Sequence, residues 1–542
     1  MNSKYFISEI KINQSELNES RINNSLNLRK KKCNQILMNK RLFISEIESL
    51  FPNKPSQESQ NNLIKNNLMK ILPNEQILKL INGMNSKLLN EDHLTELFQC
   101  LFSLDFNMNQ NLLQTVIFMN ENKIYLFLID SLEQIINANN MNNNSQLIFK
   151  ILQILFKYSS NKENNIKMIE YINDKIFIFN KILSLIDNKQ IINKKTDIFL
   201  YIAIILYNLS LESFSLLNNI RKEKIQEKML SILNNKKNHL NINERNIFYI
   251  INFFSLNILD KNIINYNENY IQEIFNLLNK KGITSSSARV QNLSLECLCN
   301  ITSLYSSENF YKKIVYSGIF SNIYNYLKIS GDMNYIIIAL KIVNNILTEK
   351  NIDLKYFIDS ELFSALMQLI INYEKNKEII NPNLMHLVIN IFLYLVKSPS
   401  FYFFIDNNRT FMTNIIYLIG KISNQVTQDI LTLIKSVINE SYKIAQLLIF
   451  NNVELISNLI SLVRYECHND KIKTMSLIIL GKIIRYNNEK IKSENALDNK
   501  IKEYEYQLKE IIQLKLLNSE NINETLKKTF KLILSIIDED EE

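Results

Sequence analysis

The amino-acid sequence predicts an all-α chain: a right-handed superhelical solenoid of about nine to ten helical repeats, preceded by a basic arm that is disordered or helical. Three observations lead there. Only 6 Gly and 5 Pro occur in 542 residues, too few turn formers for a protein of tight hairpins, which leaves helices joined by polar Asn, Lys and Ser connections. From about residue 60, apolar residues recur at three- and four-residue spacing in helix-length blocks, and the blocks themselves repeat. Finally, 542 residues exceed the size at which one hydrophobic core keeps growing, so the chain must be several domains or one repeat array.

The repeating line is a small or apolar residue, two or three apolar residues, a polar residue, an apolar pair and a polar turn. Its clearest copies are IAIILYNLSLES from Ile202, NIFYIINFFSLN from Asn246, LSLECLCNITSL from Leu293, IALKIVNNILTE from Ile338 and MSLIILGKIIRY from Met475. Set on one helical position they align Asn208, Asn252, Asn300, Asn345 and Lys482, with weaker copies at Phe102, Phe156, Tyr394 and Ser436. From Phe102 to Lys482 the steps are 54, 52, 44, 48, 45, 49, 42 and 46 residues, around the ~40 to 47 of armadillo and HEAT repeats. Each unit would be two or three helices that bury a face only by stacking on neighbours.

Charge divides the chain further. Residues 1–43 hold nine basic residues against three acids, a balance of +6 out of a total of +8. Pro52 and Pro55 mark a break before the first sustained helical pattern. The resulting plan is a basic arm and linker over 1–50, a repeat array over 60–490, a capping repeat over 491–537 and an acidic tail over 538–542. The cysteines (Cys33, Cys100, Cys297, Cys299 and Cys467) have no paired spacing for disulfides or zinc, which points to a reducing compartment. The longest apolar run, Ile198 to Tyr207, is about half of the ~20 residues needed to cross a bilayer. With no signal-peptide core at the N-terminus, a soluble, intracellular protein without a membrane partner is expected.

The five clear lines resemble the third helix of armadillo repeats. IALKIVNNILTE in particular resembles the A-L-R-x-V-G-N-I-V-T-G line of the importin-α family through Ala339, Leu340, Val343, Asn345, Ile346 and Thr348, with Lys341 where the family has Arg. Upstream, RINNSLNLRKKKCNQILMNKRLF (21–43) resembles that family's importin-β-binding segment. The resemblance implies a nuclear import adaptor that shuttles between cytoplasm and nucleus. Its arm would bind importin-β, its concave groove would bind the basic nuclear localisation signals of cargo proteins, and its C-terminal end would meet a nuclear export receptor.

On the arm, Arg21, Leu28, Arg29, Lys30, Lys31, Lys32, Lys40 and Arg41 carry the importin-β reading, with clustered cations and apolar anchors along about three helical turns. Lys40 and Arg41 would also fold back as an imitation cargo. A solvated basic tail, a localisation signal of the chain's own and salt-dependent nucleic-acid binding remain open for the same residues, although direct nucleic-acid binding is not expected. In the groove the resemblance implies that an Asn on each third helix bonds the backbone of an extended peptide while an aromatic four residues earlier, on the same face, flanks its basic side chains. The candidate pairs are Ile204 with Asn208, Phe248 with Asn252, Glu296 with Asn300 and Lys341 with Asn345, and Glu212 matches a family acid. No Trp occurs anywhere, so Phe248 is the one aromatic kept at these four positions. Asn390 with Tyr394 and Thr432 with Ser436 depart at both members, which puts a second cargo site in doubt.

Enzyme chemistry has no residue to rest on. No phosphate loop, nucleophile elbow or paired catalytic carboxylates stand out. His93, His239, His386 and His468 are isolated, and Cys467 beside His468 lacks distant partners for a metal. Neither catalytic residues nor a cofactor is expected. The competing function is an armadillo-type interaction scaffold whose partner lies outside nuclear import.

Overall fold

The fold rests on a computed structural model. It describes residues 124–538 except 138–144, 160–161, 192–193, 235–239, 241–243, 259–266, 306, 350–352, 372–380, 397, 441–452, 466–468, 489–495 and 518–522. The arm from Arg21 to Arg41, the copy at Phe102, His93, His239, His468, Cys33, Cys100, Cys467 and the tail after Asp538 lie outside the described residues. Among those described, all regular structure is helical. The chain forms two compact units, one ending at Tyr305 and one beginning at Ser306.

The first unit contains α1 (Ile124–Asn137), α2 (Ser145–Ser159), α3 (Lys162–Lys175), α4 (Phe177–Asp187), α5 (Lys195–Ser210), α6 (Phe214–Lys222), α7 (Ile225–Asn234), α8 (Glu244–Ile258), α9 (Glu268–Leu277) and α10 (Ala288–Leu304). Helices α3 to α5 and α6 to α8 are successive three-helix repeats. Their last members pack side by side in the order α2, α5, α8, α10, and their middle members in the order α1, α4, α7, α9. Each helix therefore buries its apolar stripe against the neighbouring repeat as well as its own, as the periodicity predicts.

The second unit repeats the plan with α11 (Glu308–Val315), α12 (Ile319–Ile329), α13 (Met333–Leu347), α14 (Lys355–Ile358), α15 (Glu361–Ile371), α16 (Pro382–Leu395), α17 (Pro399–Asn407), α18 (Arg409–Tyr417), α19 (Asn424–Glu440), α20 (Val453–Arg464), α21 (Asp470–Asn488), α22 (Ala496–Leu517) and α23 (Glu524–Asp538). Its row of last helices runs α13, α16, α19, α21, α23, and its row of middle helices runs α12, α15, α18. Phe363, Phe392, Phe401, Phe404 and Phe411 interlock between α15 and α18. Ring centroids are 5.0 Å apart for Phe363–Phe404 and Phe392–Phe411, in T-shaped and tilted geometry, the arrangement the ring quadrupole favours.

Polar turn residues start the helices. Ser213, Ser307, Asp332, Asn381, Ser423 and Asn469 each accept a backbone N–H from the first helical turn, at 2.9 to 3.5 Å, satisfying donors that the helix itself leaves open. Left-handed backbone marks the junction before the middle helix: Lys224 at φ 52 precedes α7 and Gly318 at φ 78 precedes α12. Two other glycines permit close helix approach. A Cβ on Gly282, at the end of a π-helical turn that continues α9, would lie 2.1 Å from Ser294 Oγ and 2.7 Å from its Cβ; one on Gly481 in α21 would lie 2.5 Å from Ile533 Cδ1 of α23.

Candidate functional site: the row of last helices

All eight aligned positions within the described residues fall on last helices. Phe156, Asn208, Asn252 and Asn300 lie on α2, α5, α8 and α10; Asn345, Tyr394, Ser436 and Lys482 lie on α13, α16, α19 and α21. The phase read from the sequence is that of one helix row in each unit. The environment of those positions is not uniform along it.

In the first unit the row is embedded along α2, α5 and α8. Every residue of α5 from Ile198 to Ser210 is buried, and Asn208 is 1% exposed. Its Nδ2 donates to Ser159 Oγ at 3.4 Å and its carbonyl accepts from Asn165 Nδ2 at 3.3 Å, tying α5 to α2 and α3. Asn252 is 2% exposed and donates from Nδ2 to the Phe248 carbonyl of its own helix at 2.9 Å. These two asparagines, expected to meet a peptide backbone, are instead enclosed and bonded within the protein. The physical reason is the apolar character of the row around them. Tyr201 and Tyr207 are buried beside Ile204 on α5, and burial pushes both phenols well above the ordinary tyrosine range.

Phe248 is half-buried and its ring already faces a cation: the Arg289 guanidinium carbon lies 4.4 Å from the centroid. The side chain that occupies the aromatic is therefore supplied by α10 of the same unit. Arg289, Glu296 and Asn300 are spaced by seven and four residues and share a stripe of α10, a pattern that could have revealed Arg289 in the sequence. Glu296 and Asn300 are half-exposed. Glu212 lies beyond the end of α5 at Ser210, in the turn leading to the Ser213 cap, so helical i,i+4 spacing does not place it one turn above Asn208. Cys297 is buried and Cys299 half-exposed, and neither is in a disulfide.

In the second unit the row is polar and reaches solvent. Lys341 and Asn345 are half-exposed on α13, as are His386, Asn390 and Tyr394 on α16 and Thr432, Lys435 and Ser436 on α19. His386 is not isolated. Its Nδ1 and Asp429 Oδ2 are 2.5 Å apart, Gln425 Nε2 donates to Asp429 Oδ1 at 3.1 Å, and Asn390 Nδ2 lies 3.1 Å from His386 Nε2. Because this hydrogen-bonded cluster joins α16 to α19, it orients the amide of Asn390 on the row. Further along, Lys482 of α21 donates to Asn439 Oδ1 of α19. Lys435 is held below the usual lysine range by desolvation, and Lys482 by desolvation and then by the charge of Lys435. Spacing by seven from Ser436 to Asp429 and by four from Tyr394 through Asn390 to His386 carries this cluster in the sequence.

Among the described residues no three His, Cys, Asp or Glu side chains are grouped to hold a metal ion. Among the described residues no single helix is long and apolar enough to cross a membrane. The helix order and stacking define an all-α repeat protein of the armadillo type.

No protein-family model matches the chain, and no curated protein matches it. Among solved structures it is similar to the designed armadillo repeat protein YIII(Dq)4CqI, at 14% identity and TM-score 0.37 over 49% of this chain and 99% of that one. A second designed armadillo repeat protein, YIII(Dq.V1)4CPAF in complex with the peptide (KR)4, shows 13% identity and TM-score 0.38 over 49% and 99%. The fold assignment stands on this chain's own helix order rather than on that likeness.

Proposed function

We propose that the chain is a protein-interaction scaffold that takes an extended peptide along the last-helix row of its second unit. One observation carries the reading: Asn345, Asn390, Ser436 and Lys482, on four adjacent helices, keep polar groups on one solvent-reached row while the flanking positions fill the core. Neighbouring helices in such a row lie about 8 to 10 Å apart, so one polar group recurs for about every three residues of an extended chain. A peptide-display selection against the full-length protein tests it. Selected sequences should share side chains at a fixed interval and lose binding when Ser436→Trp blocks the row. Selections indifferent to that substitution overturn the reading.

A second reading, the nuclear import adaptor, is supported by the sequence alone, through the basic arm and the line from Ile338. Arg29, Lys30, Lys31, Lys32, Lys40 and Arg41, with Leu28 as anchor, would bind importin-β, and the cargo signal would use Glu296 and Asn300. Full-length protein with Lys30, Lys31, Lys32, Lys40 and Arg41 all changed to Ala should then no longer retain importin-β at physiological salt. Undiminished retention would remove this reading and leave the scaffold.

A further inference from the structure

On α19 the stripe that reaches solvent contains Gln425, Gln428, Thr432, Lys435, Ser436 and Asn439; on α21 it contains Lys471, Thr474, Met475, Ile478, Lys482 and Arg485. These spacings of three and four keep each set on one helix face. Among the described side chains of the two helices, the carboxylates beside this surface are Asp429, engaged by His386 and Gln425, and Asp470, about three helical turns from Lys482 at the start of α21. Lys482 crosses from α21 to Asn439 on α19, and Lys435 lies close enough to act on its charge. Lys482 thus reaches Asn439, one turn of α19 from Lys435, which puts two half-buried lysines on one surface, and no carboxylate of the described residues pairs with either. Arg485, one turn on from Lys482, is exposed.

Like charges brought together and partly desolvated are costly for the free protein, because both effects act against the charged form. A bound anion reverses both. Acidic side chains would neutralise the pair and form charge-assisted hydrogen bonds with groups already positioned, and the neighbouring amide and hydroxyls of Asn439, Ser436 and Thr432 suit a peptide backbone. Nucleic acid is disfavoured, since single-strand binding relies on aromatic platforms and neither stripe contains an aromatic residue.

From this surface we infer that the end of the row formed by α19 and α21 is an acidic-peptide site, in which Lys435, Lys482 and Arg485 receive carboxylates of an extended partner. The inference deepens the scaffold reading and rests on it. It also sets the charge preference of this region opposite to that of a groove for basic signals.

Fluorescence anisotropy of the full-length protein with labelled peptides of alternating Glu and Ser, Gln and Ser, or Lys and Ser tests it, with single-stranded oligothymidine as a fourth ligand. The Glu peptide should bind tightest and weaken as salt is raised. Lys435→Gln with Lys482→Gln should lower its affinity about tenfold, with Arg485→Gln lowering it further and melting temperatures held. Tighter binding of the Lys peptide or of oligothymidine overturns the inference and leaves a scaffold of other preference, as does an affinity for Glu peptide that the double substitution does not change. If none of the three peptides binds, the scaffold reading falls with it.

Discussion

The two units place the same helix row in two different environments. In the first, the aligned positions Phe156, Asn208 and Asn252 are buried, with both asparagines bonded inside the protein, and only Asn300 on α10 is half-exposed; in the second, Asn345, Tyr394, Ser436 and Lys482 are all half-exposed. The repeat phase is common to both, so what differs is the company each position keeps. Tyr201, Ile204 and Tyr207 make the face of α5 apolar, whereas Lys435, Thr432 and Asn439 make that of α19 polar.

That contrast can be broken most forcefully at the glycines that let helices approach. Gly282→Val in the first unit should lower stability by about 3 kcal/mol, because the new side chain meets the backbone-proximal Cβ of Ser294 as well as its hydroxyl. Gly481→Val in the second should lower it by about 2 kcal/mol, since Ile533 presents only a movable methyl. Denaturant titration of both variants checks the order, and equal losses would remove the distinction.

The row asparagines sharpen the contrast at smaller scale. Asn208→Ala should lower stability by about 1 kcal/mol by removing the Nδ2 donor to Ser159 Oγ and opening a small void between α5 and α2. Asn345→Ala, at a half-exposed position, should stay within about 0.5 kcal/mol. Thermal melts of the two variants side by side would show a shift for the first alone.

Smallest is the pH effect of the lysine pair. Folding holds Lys435 and Lys482 below their unfolded values, so between the lowered folded pKa and the unfolded value near 10.4 the unfolded chain binds more protons and stability rises with pH. Lys482→Gln should flatten that rise and lift the melting temperature at neutral pH by about 1 °C. A steeper rise in the variant would contradict the assignment of the pair as a destabilising feature of the free protein.

Much of this architecture is legible in the residues themselves. The line of small, apolar and polar positions repeats because each last helix packs the same way on its neighbours, so alignment alone put Asn208, Asn300, Asn345 and Lys482 on equivalent helices. Exposure was not legible. The i,i+4 rule says which side chains share a face but not whether that face meets solvent, and the burial of Asn208 depends on Ser159 and Asn165, 49 and 43 residues away. For the same reason His386 reads as isolated until α19 brings Asp429 to it across 43 residues. Phe248 reads as an open platform until Arg289 is placed over its ring.

The central claim is that the row packs along α2, α5 and α8 in the first unit and, as proposed, binds in the second. The measurement that tests it most directly pairs the melting temperature with the acidic-peptide affinity of Asn208→Ala and Lys482→Gln in the full-length protein. The account predicts that Asn208→Ala melts lower and binds as before, while Lys482→Gln keeps or raises its melting temperature and binds several-fold more weakly. The reverse pattern, with affinity lost at Asn208 and only stability changed at Lys482, would contradict it.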